Sequence, residues 1–385
     1  GNEVDYPNDP YTHEILNTEA NPQTWAQFDD NRPHADRLGE VASELVAIVK
    51  QYDKFRPVTA GLASALMSNE SGYAQALDVV GYNYQEFRYE RDHAAFPDRP
   101  LYGSENGMSL EAWRAVTNND YIMGQFLWTG IEYMGEARRY PSRNSTSGTI
   151  DLAGNKKPEF YFRQSLWSEK PVLFIGADEY RESSERSGLW RHKRAEPHWN
   201  WESDQTVRVK AFTNCESVEL FLNEKSLGSK NLADFPQRVL YWDVPFAPGE
   251  LKAVATSNGD IQATAALRTA GEPAKLVAKS DVVRLKADNR DVAHVLVTIV
   301  DENDVPVYLA QNRIACEVSG PATLLGIEDA NSRNVEDYTD NAQSANHGSV
   351  LLYIQSGNSA GEAQISVSSD GLQGDTVYLQ TSAPQ

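Results

Sequence analysis

The sequence predicts a multidomain chain in which an alternating βα half is followed by two all-β modules. Three observations carry that expectation. Residues 1–172 alternate short apolar runs with stretches of helical periodicity. From residue 173 the pattern becomes period-two alternation broken at short intervals by turn residues. A linker at Ala270-Gly271-Glu272-Pro273 then separates residues 173–270 from residues 271–385. A chain of 385 residues is long enough for two or three such domains.

In the βα half, Gly1-Asn2-Glu3 reads as the end of a strand, and a polar segment rich in Asn, Pro and Asp follows it. Pro33 opens a helix in which Leu38, Val41, Leu45, Ile48 and Tyr52 recur at steps of three and four, predicting one buried face. Arg56-Pro57 precedes a strand over residues 58–62. Residues 77–84 (LDVVGYNY) begin as an apolar run, as in a parallel strand covered on both faces. Residues 101–105 form the next strand. Ser109 caps a helix to about Val116, residues 121–128 are the last strand, and 157–167 the helix after it. Parallel strands need crossovers, which places a site at their C-terminal ends. Five strands do not close an eight-stranded barrel. The expectation is therefore the second half of a (β/α)8 TIM barrel, its earlier strands lying in an N-terminal half absent from this sequence.

The β-rich modules read as two small antiparallel sandwiches. Residues 206–212 and 217–222 both alternate, and the short polar stretch between them has the spacing of a hairpin. Asn223-Glu224-Lys225, Pro248-Gly249-Glu250 and Asn258-Gly259 mark further turns. In the last module residues 295–300, 348–354 and 363–367 are the clearest strands.

Composition narrows the function. A net charge of −20 argues against nucleic acid as a partner, because phosphate contacts need clustered Lys and Arg. No stretch approaches the roughly 20 apolar residues of a membrane span. Cys215 and Cys316 fall in separate modules and read as buried apolar groups rather than a disulfide. There is no Gly-rich phosphate loop, HExxH, paired CxxC or nucleophile elbow, so no other catalytic pattern competes; no cofactor and no metal ligand is assigned, and metal dependence is left open. The acidic balance fits an exported protein, periplasmic or extracellular, and homo-oligomerisation is left open.

What remains is a pair of glutamates. Leu101-Tyr102-Gly103-Ser104-Glu105 is an apolar run ending in a carboxylate, and Asn106-Gly107 turns the chain behind it. Glu3 ends an earlier strand. Two carboxyl groups about 5–5.5 Å apart carry out glycoside hydrolysis with retention, one attacking the anomeric carbon while the other protonates the leaving oxygen. Asn2 offers an amide to the sugar hydroxyl beside the reacting carbon. Tyr84 ends the strand before that of Glu105 and is placed to hydrogen-bond it. Trp128 is either an apolar floor under a sugar ring or a core residue. His13, Glu86, Glu132 and Glu136 lie in loops after candidate strands and are candidates to line a sugar pocket.

These segments resemble glycoside hydrolase family 2, the clan of β-galactosidases, β-glucuronidases and β-mannosidases. In chain order the matching pieces are Gly1-Asn2-Glu3, Arg56-Pro57-Val58-Thr59, residues 78–84 (DVVGYNY), 101–105 (LYGSE), 126–130 (FLWTG) and 151–154 (DLAG). The module with His198-Trp199-Asn200-Trp201 and residues 217–223 (SVELFLN) is similar to a β-sandwich that often follows such catalytic domains. The tail resembles the family's C-terminal immunoglobulin-like domain. The resemblance implies Glu3 as acid/base, Glu105 as nucleophile, Asn2 at the 2-hydroxyl, Tyr84 beside the nucleophile and Trp128 at the sugar subsite nearest the cleaved bond. Tyr82, on the same strand face, competes for the place of Tyr84.

The family's N-terminal sandwich, its following immunoglobulin-like domain and the first barrel strands are missing. These residues alone are therefore expected to be inactive, with the N-terminal half of the same protein as their partner. The expected substrate is an oligosaccharide or glycoside with a terminal β-galactoside. The alternative is a β-glucuronide, whose carboxylate the family binds with an Asn-x-Lys pair matched in spacing by Asn155 and Lys157. A different class stays open, a non-catalytic carbohydrate-binding segment in which Trp199 and Trp201 form a stacking platform.

Overall fold

The computed structural model describes residues 1–5, 35–137, 139–180 and 194–383. Their contacts gather into two compact units, one over Gly1–Gly130 and one from Ile131 onward.

The first unit is built on a parallel sheet in the order β1 (Thr59–Leu62), β2 (Val79–Asn83), β3 (Leu101–Asn106), β4 (Ile122–Leu127). Residues 1–3 continue it beyond β1. Asn2 bridges Gly61 in parallel, Glu3 N donates to Gly61 O at 2.8 Å, and Gly61 N donates to Gly1 O at 3.0 Å. All five strand positions expected from the sequence are thus present, and in chain order. Helix α1 (Arg37–Tyr52) precedes β1, α2 (Ala65–Glu70) and α3 (Tyr89–Ala95) fill the next two crossovers, and α4 (Leu110–Thr117) lies between β3 and β4. As the sequence predicts, Ser109 caps α4, its hydroxyl accepting from Ala112 N at 3.0 Å. The core consists of Leu62, Val80, Tyr82, Leu101 and Ile122 from the strands, with Ala42, Tyr89 and Val116 from the helices.

One expectation fails in α1. Val41, Leu45, Ile48 and Tyr52, predicted to form a buried face, are 43–88% exposed. The helix packs through Leu38, the first residue of that stripe, and through its small residues instead. Ala42 is buried, and a Cβ on Gly39 would stand 2.4 Å from Ser71 O. A close backbone approach of that kind turns the bulky apolar stripe aside, whatever its periodicity.

In the second unit a helix, Pro158–Trp167, lies where the sequence places it. Two β-sandwiches follow. In the first, a three-stranded sheet (Leu240–Pro245, Thr206–Thr213, Leu173–Glu179) and a four-stranded sheet (Lys225–Asn231, Ser217–Leu222, Glu250–Ser257, Asp260–Arg268) share one core. The expected hairpin between residues 206–212 and 217–222 does not form. Thr206–Thr213 pairs with Leu240–Pro245 and Leu173–Glu179, whereas Ser217–Leu222 pairs inside the other sheet. Val207, Val209 and Ala211 enter the core from one side and Val218 and Leu220 from the other, so the short link crosses between sheets. The turn at Asn258-Gly259 does form, with φ of 53° and 84° at the two residues.

The last sandwich joins a four-stranded sheet (Lys275–Ser280, Val292–Val300, Ser349–Ser356, Ala322–Glu328) to a five-stranded one (Arg284–Lys286, Asp375–Ser382, Gly361–Ser368, Arg313–Ser319, Ala342–Ser344). Their alternating residues make one continuous core from Leu276 to Leu379. Cys215 and Cys316 are free and buried, one in each sandwich core.

Candidate active site

Glu105 stands near the C-terminal end of β3 and is 7% exposed. The register of β2 against β3 shifts after Tyr82, so that Asn83 pairs with Glu105 rather than with Ser104. Such a bulge re-aims a side chain at a strand end. Here it brings a fully buried amide opposite Glu105. Asn83 Nδ2 lies 3.0 Å from Glu3 Oε1 and 3.2 Å from Asn2 Oδ1, and Asn83 Oδ1 accepts from Ser104 Oγ at 2.6 Å. Gly61 makes room for this cluster, since a Cβ there would come within 2.5 Å of Asn2 Oδ1 and 2.9 Å of Asn83 Oδ1.

Glu3 and Glu105, 102 residues apart, therefore meet through one polar cluster at the strand ends. Burial pushes the Glu105 carboxyl above its ordinary proton affinity, and the charge of Glu3 pushes it further. Hydrogen bonds from the side chains of Tyr84, Asn2 and Asn83 act against both. Tyr84 follows β2 with a φ of +54°, and Glu3 has +50°, so both site residues adopt left-handed backbone that is uncommon for non-glycine side chains. Tyr84 N also donates to Glu105 O at 2.8 Å.

Of the two tyrosines, Tyr82 is a core residue whose hydroxyl donates to Asp92 at 2.6 Å, and Tyr84 is the one whose side chain lowers the proton affinity of the Glu105 carboxyl. Trp128 is half-buried just past β4, its backbone N–H donating to Asn106 O at 3.1 Å. His13 lies outside the described residues.

The other loop candidates are distributed differently. Glu86 is half-buried just beyond β2, and burial raises its proton affinity. In the second unit Glu136 is exposed and accepts from the Tyr133 hydroxyl. Glu132 is buried there, with Oε1 2.6 Å from Lys157 Nζ and Oε2 3.0 Å from Asn144 Nδ2. Trp199 is fully buried in the sandwich core, donating to Ala247 O, so it offers no stacking surface to a glycan. Among the described residues no group of three or more His, Cys, Asp or Glu is placed to hold a metal ion.

Sequence reasoning missed Asn83, Ser104 and Asp5. Asn83 interrupts an otherwise apolar strand directly before Tyr84, which was its available signal. Asp5 looked like the start of a polar loop, yet its buried carboxylate accepts from Ala63 N and Ser64 N, both at 2.9 Å, and from Ser68 Oγ at 2.6 Å.

Two coupled carboxyl groups at the C-terminal ends of a parallel sheet, followed along the chain by β-sandwich modules, are the make-up of the glycoside hydrolase class. Comparison with known proteins narrows this. Residues 276–378 match the family model "Glycoside hydrolase family 2 C-terminal domain 5", and residues 204–263 match a domain of unknown function, DUF4982. The chain is 30% identical to beta-galactosidase BoGH2A of Bacteroides ovatus, over 86% of this chain and 42% of that protein. It is 28% identical to a putative beta-glucuronidase of Formosa agariphila, over 57% of this chain and 20% of that protein. A crystal structure of a glycosyl hydrolase family 2 member from Bacteroides cellulosilyticus superposes with a TM-score of 0.84 at 30% identity, covering 90% of this chain and 48% of that one. The chain spans less than half the length of these relatives. It belongs to glycoside hydrolase family 2.

Proposed function

We propose that the complete protein is a retaining, exo-acting glycoside hydrolase that removes terminal β-galactosyl residues, with Glu105 as nucleophile and Glu3 as acid/base. The observation that carries this reading is the meeting of the two carboxyl groups through Asn2 and Asn83. Glu105 attacks the anomeric carbon as the glycosidic C–O bond breaks, and Glu3 gives its proton to the departing oxygen. Water then attacks the glycosyl ester, Glu3 takes the water's proton, and Glu105 leaves as a carboxylate. Tyr84 holds Glu105 ionised for the first step, Asn2 serves the 2-hydroxyl, and Trp128 lies under the sugar ring. In this reading the sheet is part of a closed (β/α)8 barrel, and the sandwiches are immunoglobulin-like modules that follow it along the chain.

The relatives carry both galactosidase and glucuronidase names. The state of Asn155 and Lys157 favours the galactoside. Lys157 Nζ donates to Glu132 at 2.6 Å and to Thr146 O at 2.9 Å, and Asn155 Nδ2 donates to Asp151 at 3.2 Å. The cation that would meet a uronate carboxylate is already neutralised by a buried glutamate. Aryl β-galactoside and β-glucuronide turnover by the complete protein, with and without Glu105→Gln, tests both statements. Hydrolysis that survives the substitution sinks the mechanism; preferred turnover of the glucuronide reverses the sugar.

A further inference from the structure

We propose that Asn83 is a positioning residue for this reaction: its amide, oriented by Ser104, donates to Glu3 and stabilises the carboxylate that Glu3 becomes as its proton leaves. The inference rests on the catalytic reading above and concerns a residue to which that reading gives no role in the chemistry.

Three observations carry it. Asn83 is completely buried, so its amide has no water as an alternative partner. Ser104 Oγ donates to Asn83 Oδ1 at 2.6 Å, which fixes the carbonyl end of the amide away from the glutamates and turns the NH2 end toward them. That end reaches Glu3 Oε1 at 3.0 Å and Asn2 Oδ1 at 3.2 Å, and it lowers the proton affinity of Glu105. The register shift between Tyr82 and Asn83 is what puts this residue opposite Glu105. The amide therefore only donates to the glutamates, and a donor favours the ionised state of a carboxyl group.

The consequence for the reaction is directional. With Glu3 protonated, its bond to Asn83 is an ordinary one between neutral groups. Once the proton has moved to the leaving oxygen the same bond becomes charge-assisted, roughly twice as strong. The interaction therefore grows along the glycosylation step, as catalysis requires. It then holds Glu3 ionised as the base for the attacking water. The titratable groups facing this amide are Glu3, Glu105 and Tyr84; Asp5, on the segment of Glu3, is faced in turn by Tyr73.

The test is the pH profile of kcat/KM in the complete protein, compared for Asn83→Ala and Ser104→Ala on an activated aryl galactoside and on an unactivated disaccharide. Loss of the donor is expected to move the basic limb upward by about one pH unit in Asn83→Ala. Ser104→Ala should move it less, in the same direction. Turnover of the disaccharide should fall several-fold more than that of the activated substrate, because only the former depends on full proton donation. An unmoved basic limb, with equal losses on both substrates, means that Asn83 merely packs and overturns the proposal. If Asn83→Ala does not fold, the limb of Ser104→Ala decides alone. Failure of the underlying reading looks different, since Glu105→Gln would then leave turnover intact.

Discussion

Asp5 and Ser68 meet at 2.6 Å, the serine hydroxyl donating to a carboxylate with no exposed surface. Ala63 N and Ser64 N, just after β1, donate to the same carboxylate. These bonds pin the segment two residues past Glu3 to the neighbouring strand end. Replacing Asp5 by Ala strands two buried backbone donors, which is expected to cost about 2–3 kcal/mol in chemical denaturation. Because Glu3 already sits at φ +50°, loss of its anchor should also lower kcat at temperatures where the variant stays folded. Unchanged kcat in a folded variant would detach Asp5 from the site.

Glu105 should be a stability liability. Burial and then the charge of Glu3 raise its proton affinity in the folded state. The folded protein thus binds this proton more tightly than the unfolded chain does, and the group's contribution to folding declines as pH rises above the ordinary carboxyl value of 4.5. Glu105→Gln, which carries no charge, is expected to melt higher than the parent at pH 7 by about 1 kcal/mol of stability while losing turnover. The gain should vanish by about pH 4, where both carry a neutral side chain. A lower melting temperature at pH 7 would show that Glu105 is well stabilised where it stands.

The parts of the site that were legible in the sequence are those whose chemistry coincides with an element boundary. Glu105 closes an apolar run and is followed by Asn-Gly, so its strand-end place could be read directly. Asn83 could not be read that way, since its position depends on a register shift that leaves no mark in the pattern. The α1 helix shows the opposite failure. Its apolar stripe is plain, but the contact is decided by Gly39 and Ala42, whose small size reads as neutral. The link 213–217 looked like a hairpin because a sheet-to-sheet crossing uses the same alternation and the same short polar loop.

The Glu132–Lys157 pair separates the two sugar readings. The side chains are 4% and 19% exposed and meet at 2.6 Å. Lys157→Met would leave Glu132 buried without its cation, a change expected to cost about 3 kcal/mol of stability. Galactoside and glucuronide turnover should then fall together, and the double variant with Glu132→Gln should recover much of the loss. A selective loss of glucuronide turnover in Lys157→Met, with no change in melting temperature, would instead mark the lysine as a uronate ligand.

His198 makes the junction between the two sandwiches sensitive to acid. Its ring stacks on Trp201 at 4.9 Å and on Tyr308 of the last module at 5.2 Å, while the Tyr308 hydroxyl donates to Glu196 at 2.6 Å. Burial lowers the proton affinity of His198; Glu196 works against this and the nearby His347 adds to it. The folded state therefore favours the neutral ring. Stability from this group is complete above the ordinary histidine value of 6.5 and is lost as pH falls through it toward the lower folded value. The melting temperature of the complete protein should decline between pH 7 and pH 5. His198→Phe keeps an aromatic ring but removes the titration, and also the acceptor that Nδ1 offers to Asn200 N at 3.2 Å. It should melt somewhat lower at pH 8 and lose less on acidification than the parent. Parallel curves for the two proteins would assign the acid loss to the carboxylates and leave His198 a packing residue.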